Sequence, residues 1–347
     1  MIFNFVFKFL ILKYSSITGQ VRELNFIAFS DNFRQMKFPS IQTAEDFTRH
    51  FRNEFWRELA ETVCRRHSVS FNNLRRIEHG ENVVFLVDER FVLKFFTPFK
   101  NGFRRERIAL EFASGKSFIN IPEVLFAGKI EAFDYLITNQ FTGVSMTREN
   151  WLRLKNAQQI KFVSHLAAGL KELHSHDADS FDFDWQKFVE RQVATVFERQ
   201  KTGGANAEWL ERLPVYLEEN LKLLPKNRKD VFLHGDVHFG NLRVTETSGK
   251  WKICGLFDFA DSLKGFHEYE FVAVGVLMIQ GQGELQREFF RAYGYKDSDL
   301  DEDFRRRLML LTILYEWSSL HRYALRLKPE AVNFTLDRLE RAIWNFI

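Results

Sequence analysis

The stretch FLHGDVHFGNLRV, residues 232–244, sets two histidines, an aspartate, two glycines and an asparagine between apolar ends. The apolar run Val231-Phe232-Leu233 leads into it and reads as a short strand. Asp236 then falls in the loop directly after that strand. A carboxylate there can accept or orient the proton of an attacking hydroxyl. Asn241, five residues on, offers a neutral amide oxygen that suits a hard cation such as Mg2+. Gly235 and Gly240 let the loop turn tightly.

Downstream, KICGLFDFAD (252–261) reads as a strand ending at Asp258, where a carboxylate can hold a divalent cation against phosphate oxygens. The segment NLRVTETSGKWKICGLFDF (241–259) has the length of a hairpin that returns Asp258 to Asn241. A base, an amide ligand and an acidic ligand are the parts that phosphoryl transfer requires.

His234-Gly235-Asp236, then Asn241, then Asp258-Phe259 resemble the motif of the aminoglycoside phosphotransferase and choline kinase family. The resemblance implies an α+β, bilobal protein-kinase-like fold with a β-rich N-lobe and a mostly helical C-lobe. By position, it implies that Asp236 is the catalytic aspartate and that Asn241 and Asp258 are the metal ligands. The cofactors implied are ATP and Mg2+, and the partner is a small-molecule hydroxyl acceptor.

Such a site also needs a strand lysine for the phosphates and a helix glutamate to hold it. FVLKFF (91–96) supplies Lys94. In GFRRERIALEFAS (102–114), Glu106 fits the family's pattern, with Glu111 as the fallback. In EHGENVVFLV (78–87), Gly80 and Asn82 match the family's short phosphate-covering turn, whose backbone N–H groups approach phosphate. The lobes are joined in the family by a segment matching LITNQFTG (136–143), so the base is expected beside Thr138, Asn139, Gln140 and Phe141. Leu173-His174 resembles the end of the helix before the catalytic loop, with His174 expected as a packed helix-end residue. The family commonly has Tyr-Asp where this chain has Tyr269-Glu270, and the longer glutamate is still able to anchor the loop.

Other readings compete. His234, Asp236 and His238 on one face of an extended segment would resemble a metal-dependent hydrolase, although no second dense cluster of ligands follows. Structural roles are expected for both histidines. A nucleotide-binding pseudokinase or scaffold is a further alternative. Asp261 is either a second acidic group near the metals or a turn residue. The acidic run DSDLDED (297–303) reads first as a solvated helix start. SGKS (114–117) resembles the tail of a P-loop, but the required glycine would fall at Leu110, so that reading is rejected.

The 347 residues carry 49 basic and 46 acidic side chains, a net charge of +3, which argues against a dominant nucleic-acid surface. Apolar residues make up 45%, ample for a sizeable core, and the 39 phenylalanines are read mainly as core. Two cysteines, Cys64 and Cys254, fit a reducing compartment, and a cytoplasmic location is expected. No run of eighteen apolar residues suggests a spanning helix, and no membrane partner is expected. The apolar start MIFNFVFKFLILKY is read as part of an extension over residues 1–35, against a signal or an interfacial anchor. The N-lobe is then expected over 36–141 and the C-lobe over 142–347. Nothing in the sequence fixes an oligomeric state. Thr43 and Asp46 have capping-box spacing, and Phe47, Phe51, Phe55, Leu59 and Val63 recur every four residues, which predicts one helix over 43–66. Strands are predicted over 83–87 and 91–96 as a hairpin, then within 123–128 and 134–141. Residues 151–176 read as helical, 201–209 as a loop, and the chain beyond 268 as mostly helical.

Overall fold

Period-two alternation between residues 74 and 139 lays down an antiparallel sheet of five strands. The computed structural model describes residues 39–347 apart from His79, Ser180 and Gly249, and the extension expected over 1–35 lies outside them. Two helices lead, α1 (Ala44–His50) and α2 (Phe55–Arg66). Then come β1 (Leu74–Ile77), β2 (Val83–Val87), β3 (Phe91–Phe95), α3 (Gly102–Ala113), β4 (Val124–Ile130) and β5 (Phe133–Asn139). Their spatial order is β1-β2-β3-β5-β4.

The register matters for the site. Lys94 lies opposite Val84 on β2 and Leu136 on β5, and Val92 lies opposite Leu86. Side chains alternate across a strand. Leu93 and Phe95 are therefore fully buried on one face. Val92 and Lys94 share the other face with Val84 and Leu86. Against the buried face lies α2, whose Trp56 ring meets Phe133 at 4.6 Å and Phe95 at 5.6 Å.

One helix was expected over 43–66, and the structure breaks it at residues 51–54. The Asn53 side chain accepts the N–H of Phe55 at 3.1 Å, a local bond that competes with the helical ladder. The Trp56 indole donates to the His50 carbonyl at 2.9 Å, closing the first helix against the second. The capping box at Thr43 and Asp46 forms as expected.

The second half is mostly helical. It runs through β6 (Val144–Ser145), α4 (Arg148–Arg153), α5 (Asn156–Ser175), α6 (Trp185–Thr202) and α7 (Ala207–Asn220). A short β-rich insert follows: β7 (Val231–Leu233), β8 (Leu242–Thr247), β9 (Lys250–Leu256) and β10 (Leu263–Gly265). The chain then continues through α8 (Glu270–Ala273), α9 (Gly283–Tyr293), α10 (Glu302–Leu314), α11 (Leu320–Leu327) and α12 (Leu336–Ile343). The helical pattern over 151–176 divides at the extended pair Leu154-Lys155. The loop expected over 201–209 narrows to residues 203–206. The strand β10 was not foreseen; it pairs antiparallel with β7, under the loop of the opening motif.

Aromatic side chains fill the core. Trp151, Trp209, Trp344, Phe162 and Phe232 are among its fully buried members. Each such side chain contributes about 1.5–3 kcal/mol on burial. That accounts for the phenylalanine-rich composition without a functional role. Among the described residues no helix is long and apolar enough to cross a membrane.

Candidate active site

Four structural elements deliver the polar groups. From β3, Lys94 reaches out of the sheet on the face opposite the core, and from α3 comes Glu106. Lys94 Nζ donates to Glu106 Oε2 at 2.6 Å and to Asp258 Oδ1 at 3.0 Å. The lysine and glutamate side chains are only 13% and 8% exposed, whereas Asp258 is 48% exposed and open to the cleft. Burial works against the lysine's charge, but the two carboxylates outweigh it and raise its pKa above the ordinary range. Glu106 feels burial first, which pushes its carboxyl up while Lys94 pulls it back. Lys94 in turn holds Asp258 below the usual carboxylate value. The alternative partner, Glu111, pairs instead with Arg107 at 2.8 Å on the helix surface.

The hairpin β8–β9 does what its length suggested. Leu242 pairs with Leu256, and Phe257 N–H donates to the Asn241 carbonyl at 3.0 Å. Asp258 follows at once, in the left-handed conformation with φ 65°. A non-glycine residue rarely adopts this conformation, and aspartate tolerates it better than most.

Asp236 follows β7, and each of its carboxylate oxygens has partners. Oδ1 accepts from the Tyr315 hydroxyl at 3.1 Å; the same hydroxyl lies 2.9 Å from the Gly235 carbonyl. Oδ2 lies 3.2 Å from His238 Nε2 and 3.3 Å from Asn241 Nδ2. Burial pushes the Asp236 carboxyl up, but these bonds, led by His238, bring it below the ordinary value. The Tyr315 phenol is pushed far up by burial and by the Asp236 charge, so it remains a donor. Nothing near Tyr315 in the sequence marked it. His238, expected to be only structural, touches the carboxylate directly.

His234 is fully buried and has both ring nitrogens committed. Nδ1 accepts the Asp236 N–H at 3.2 Å, so Nε2 is the nitrogen that donates to the Phe257 carbonyl at 3.0 Å. That removes it from the ligand set of the hydrolase reading, and among the described residues no cluster of three His, Cys, Asp or Glu side chains is placed to hold a metal. Asn241 uses its Nδ2 on Asp236, which leaves its neutral Oδ1 out of those bonds, and Asn241 and Asp258 line the same cavity. An amide oxygen and a carboxylate are oxygen donors of the kind that suits Mg2+.

Glu270 holds the loop from behind. Its carboxylate accepts the N–H groups of His234 at 2.6 Å and Gly235 at 2.9 Å, and His174 lies 3.4 Å away. The longer side chain therefore does anchor the loop. His174 is buried, as expected, and also bonds the Tyr293 hydroxyl at 2.8 Å. Gly235 has φ 86°, and a Cβ there would come 2.3 Å from the Asp261 carbonyl oxygen. Replacing Glu270 by alanine would orphan two buried N–H groups. We expect it to cost about 2–5 kcal/mol in a denaturant unfolding series, with loss of turnover even where the protein stays folded.

A cavity of about 780 Å³ connects these groups. Lys94, Glu106, Asn241 and Asp258 line it, as do Gly80 and Asn82 at one end and Thr138, Asn139, Gln140 and Phe141 at the joining segment. Asp236 stands behind Asn241, one hydrogen bond from the lining. Asn82 uses its side-chain oxygen on the Thr97 N–H at 3.1 Å, fixing the turn that Gly80 opens with φ 137°. Arg105, Glu316, Trp317 and Arg243 also line the cavity, and sequence reasoning had assigned a site role to none of them; Asp261, left open between a second acidic group near the metals and a turn residue, lines it too. Burial and the Asp236 charge raise the Asp261 carboxyl, with Arg105 pulling it back. The acidic run at 297–303 has no place in this cavity: Asp297 pairs with Arg291 at 2.7 Å and Asp301 caps α10. The SGKS segment falls in the turn after α3.

A sequence profile of the phosphotransferase enzyme family matches residues 73–308. No curated protein matches the chain. Among solved structures, the GDP complex of wild-type aminoglycoside 2'-phosphotransferase-IIIa is 16% identical, with a TM-score of 0.64 over 85% of this chain and 100% of that one. The streptomycin-ATP-APH(2")-IIa ternary complex is 19% identical, with a TM-score of 0.56 over 81% and 97%. APH(3'')-Id from Streptomyces rimosus is 16% identical, with a TM-score of 0.53 over 74% and 98%. At these identities the likeness is one of fold.

Proposed function

The chain belongs to the phosphotransferase enzyme family, and on that premise we propose that it moves the γ-phosphoryl group of ATP to a hydroxyl of a small molecule. The observation that carries this reading is the convergence of Lys94, Glu106 and Asp258 within 3.0 Å contacts, from residues 164 apart in the chain, beside Asn241 and Asp236. Solved structures of like fold that hold ATP or GDP support the nucleotide.

Each residue then has a task. Asp236 accepts the proton of the acceptor hydroxyl as its oxygen bonds to the γ-phosphorus and the bond to the β-phosphate oxygen breaks. Tyr315 and His238 aim that carboxylate. Lys94 steadies the phosphates, and Glu106 positions Lys94. Asn241 and Asp258 hold Mg2+, which supplies charge neutralisation for the phosphate oxygens when bound. Gly80 and Asn82 shape the turn over the phosphates, and the base lies against residues 138–141. On this reading residues 36–141 cover the nucleotide, and residues 142–347 carry the catalytic and acceptor-binding groups.

The test is an ATP-consumption screen over sugars, amino alcohols, amino acids and aminoglycosides, with the Asp236→Ala protein as blank. At least one class is expected to yield ADP and phosphorylated acceptor in equal amounts, and the blank is expected to yield neither. Thermal stabilisation by ATP and Mg2+ with no transfer to any acceptor would instead favour a nucleotide-binding scaffold.

A further inference from the structure

The base end of the cavity contains a charge that the phosphates do not account for. Its walls there are Val84, Leu86 and Val92 from the sheet, Pro122, and Phe257 after β9. Into this apolar slot the hairpin places Arg243, half-buried, on β8. Its Nη1 donates to Ser145 Oγ at 3.1 Å, and its guanidinium lies over the Phe257 ring at 5.4 Å. Among the described residues, no carboxylate comes within ion-pair distance of it. A cation held in an apolar slot without a counter-charge is costly unless a ligand meets it. Its planar face suits an aromatic ring.

Two backbone donors of the joining segment are not free for the edge of a base. Asn139 N–H already donates to the Glu123 carbonyl at 3.4 Å, and Gln140 N–H to the Arg90 carbonyl at 2.8 Å. Two donors of the joining segment are thus engaged within the protein. A slot that offers a charged planar face, with these two edge donors already engaged, can hold a base by stacking. Stacking tolerates different bases, because every base has a π-face.

We infer that Arg243 is the nucleobase platform of this site, and that it makes the site accept purine nucleoside triphosphates with little distinction between adenine and guanine. This rests on the phosphotransferase reading above.

The test measures dissociation constants of the full chain for ATP, GTP and inorganic tripolyphosphate, each with Mg2+. Wild-type protein is expected to bind ATP and GTP within about threefold of each other. Arg243→Leu is expected to weaken both by about tenfold while leaving tripolyphosphate unchanged. Arg243→Lys keeps the charge but not the plane, so it is expected to lose most of the same contribution; it also serves if the leucine variant does not fold. Unchanged nucleotide binding in both variants overturns the inference. So does an equal loss for tripolyphosphate, which would make Arg243 a phosphate ligand, or a loss confined to one purine, which would make it an edge reader. Wild-type protein that binds tripolyphosphate but neither nucleotide also overturns it. Wild-type protein that binds none of the three overturns the phosphotransferase reading itself.

Discussion

Asparagine at position 236 is expected to lower kcat by about 10³-fold, within the range of about 10² to 10⁴ that a positioned base supplies. The substitution keeps the size of the side chain and takes away its ability to accept a proton. The groups that surround it were built for an anion. Tyr315, His238 and Asn241 all approach the carboxylate as donors. An amide nitrogen facing one of them would lose a hydrogen bond and gain a clash of donors. The cavity lining that meets the nucleotide is untouched, so nucleotide affinity is expected to persist. Single-turnover kinetics alongside nucleotide titration separates the two. Retained turnover in Asp236→Asn would remove Asp236 from the reaction.

Lys94→Met carries the other large effect, and it acts on folding as well as on chemistry. The ammonium is the partner of Glu106 at 2.6 Å, in a place where both side chains are almost closed to water. Removing it leaves a buried carboxylate without a counter-charge, a change expected to cost about 3–5 kcal/mol. Adding Glu106→Gln takes that stranded charge away, so the double variant is expected to recover most of the stability. It is not expected to recover turnover, because the phosphates still lack their cation. Denaturant unfolding of the two variants, with activity measured at saturating ATP, distinguishes these effects. If the double variant is no more stable than the single one, the pair is not the source of the loss.

The parts of the site that were legible in the sequence are those whose chemistry is concentrated in a short stretch or set by a period. Asp236 and Asn241 stand in one loop, and Asp258 closes a strand that folds back on it. Lys94 was legible as the lysine of a strand-like run, once the resemblance asked for one. Glu106 was separated from Glu111 only by resemblance, since both sit on one charged helix; the structure gives Glu111 to Arg107. What escaped are contacts made by chain closure. Tyr315 lies 79 residues beyond Asp236 and looks like one aromatic among many. Arg243 sits next to the motif, but its environment depends on Ser145 and Phe257, which are brought to it by sheet pairing and by the turn after β9. The fold itself was read well where periods were long. It was read too simply over 43–66, where a four-residue spacing of phenylalanines continued across a break that one asparagine side chain stabilises.

The bond from Tyr315 to Asp236 has a practical side for laboratory evolution. The next two residues, Glu316 and Trp317, line the cavity, and the Glu316 N–H is itself tied to the Tyr269 hydroxyl at 3.0 Å. Libraries built to broaden the range of compounds accepted would begin with those two positions. A backbone shift there drags the phenol with it and re-aims the Asp236 carboxylate, so on the proposed function wider scope and slower turnover would arrive together. Diversity introduced at Arg105, on α3 and far from Tyr315 in the chain, leaves that tether alone and offers a route by which the two traits can be selected apart.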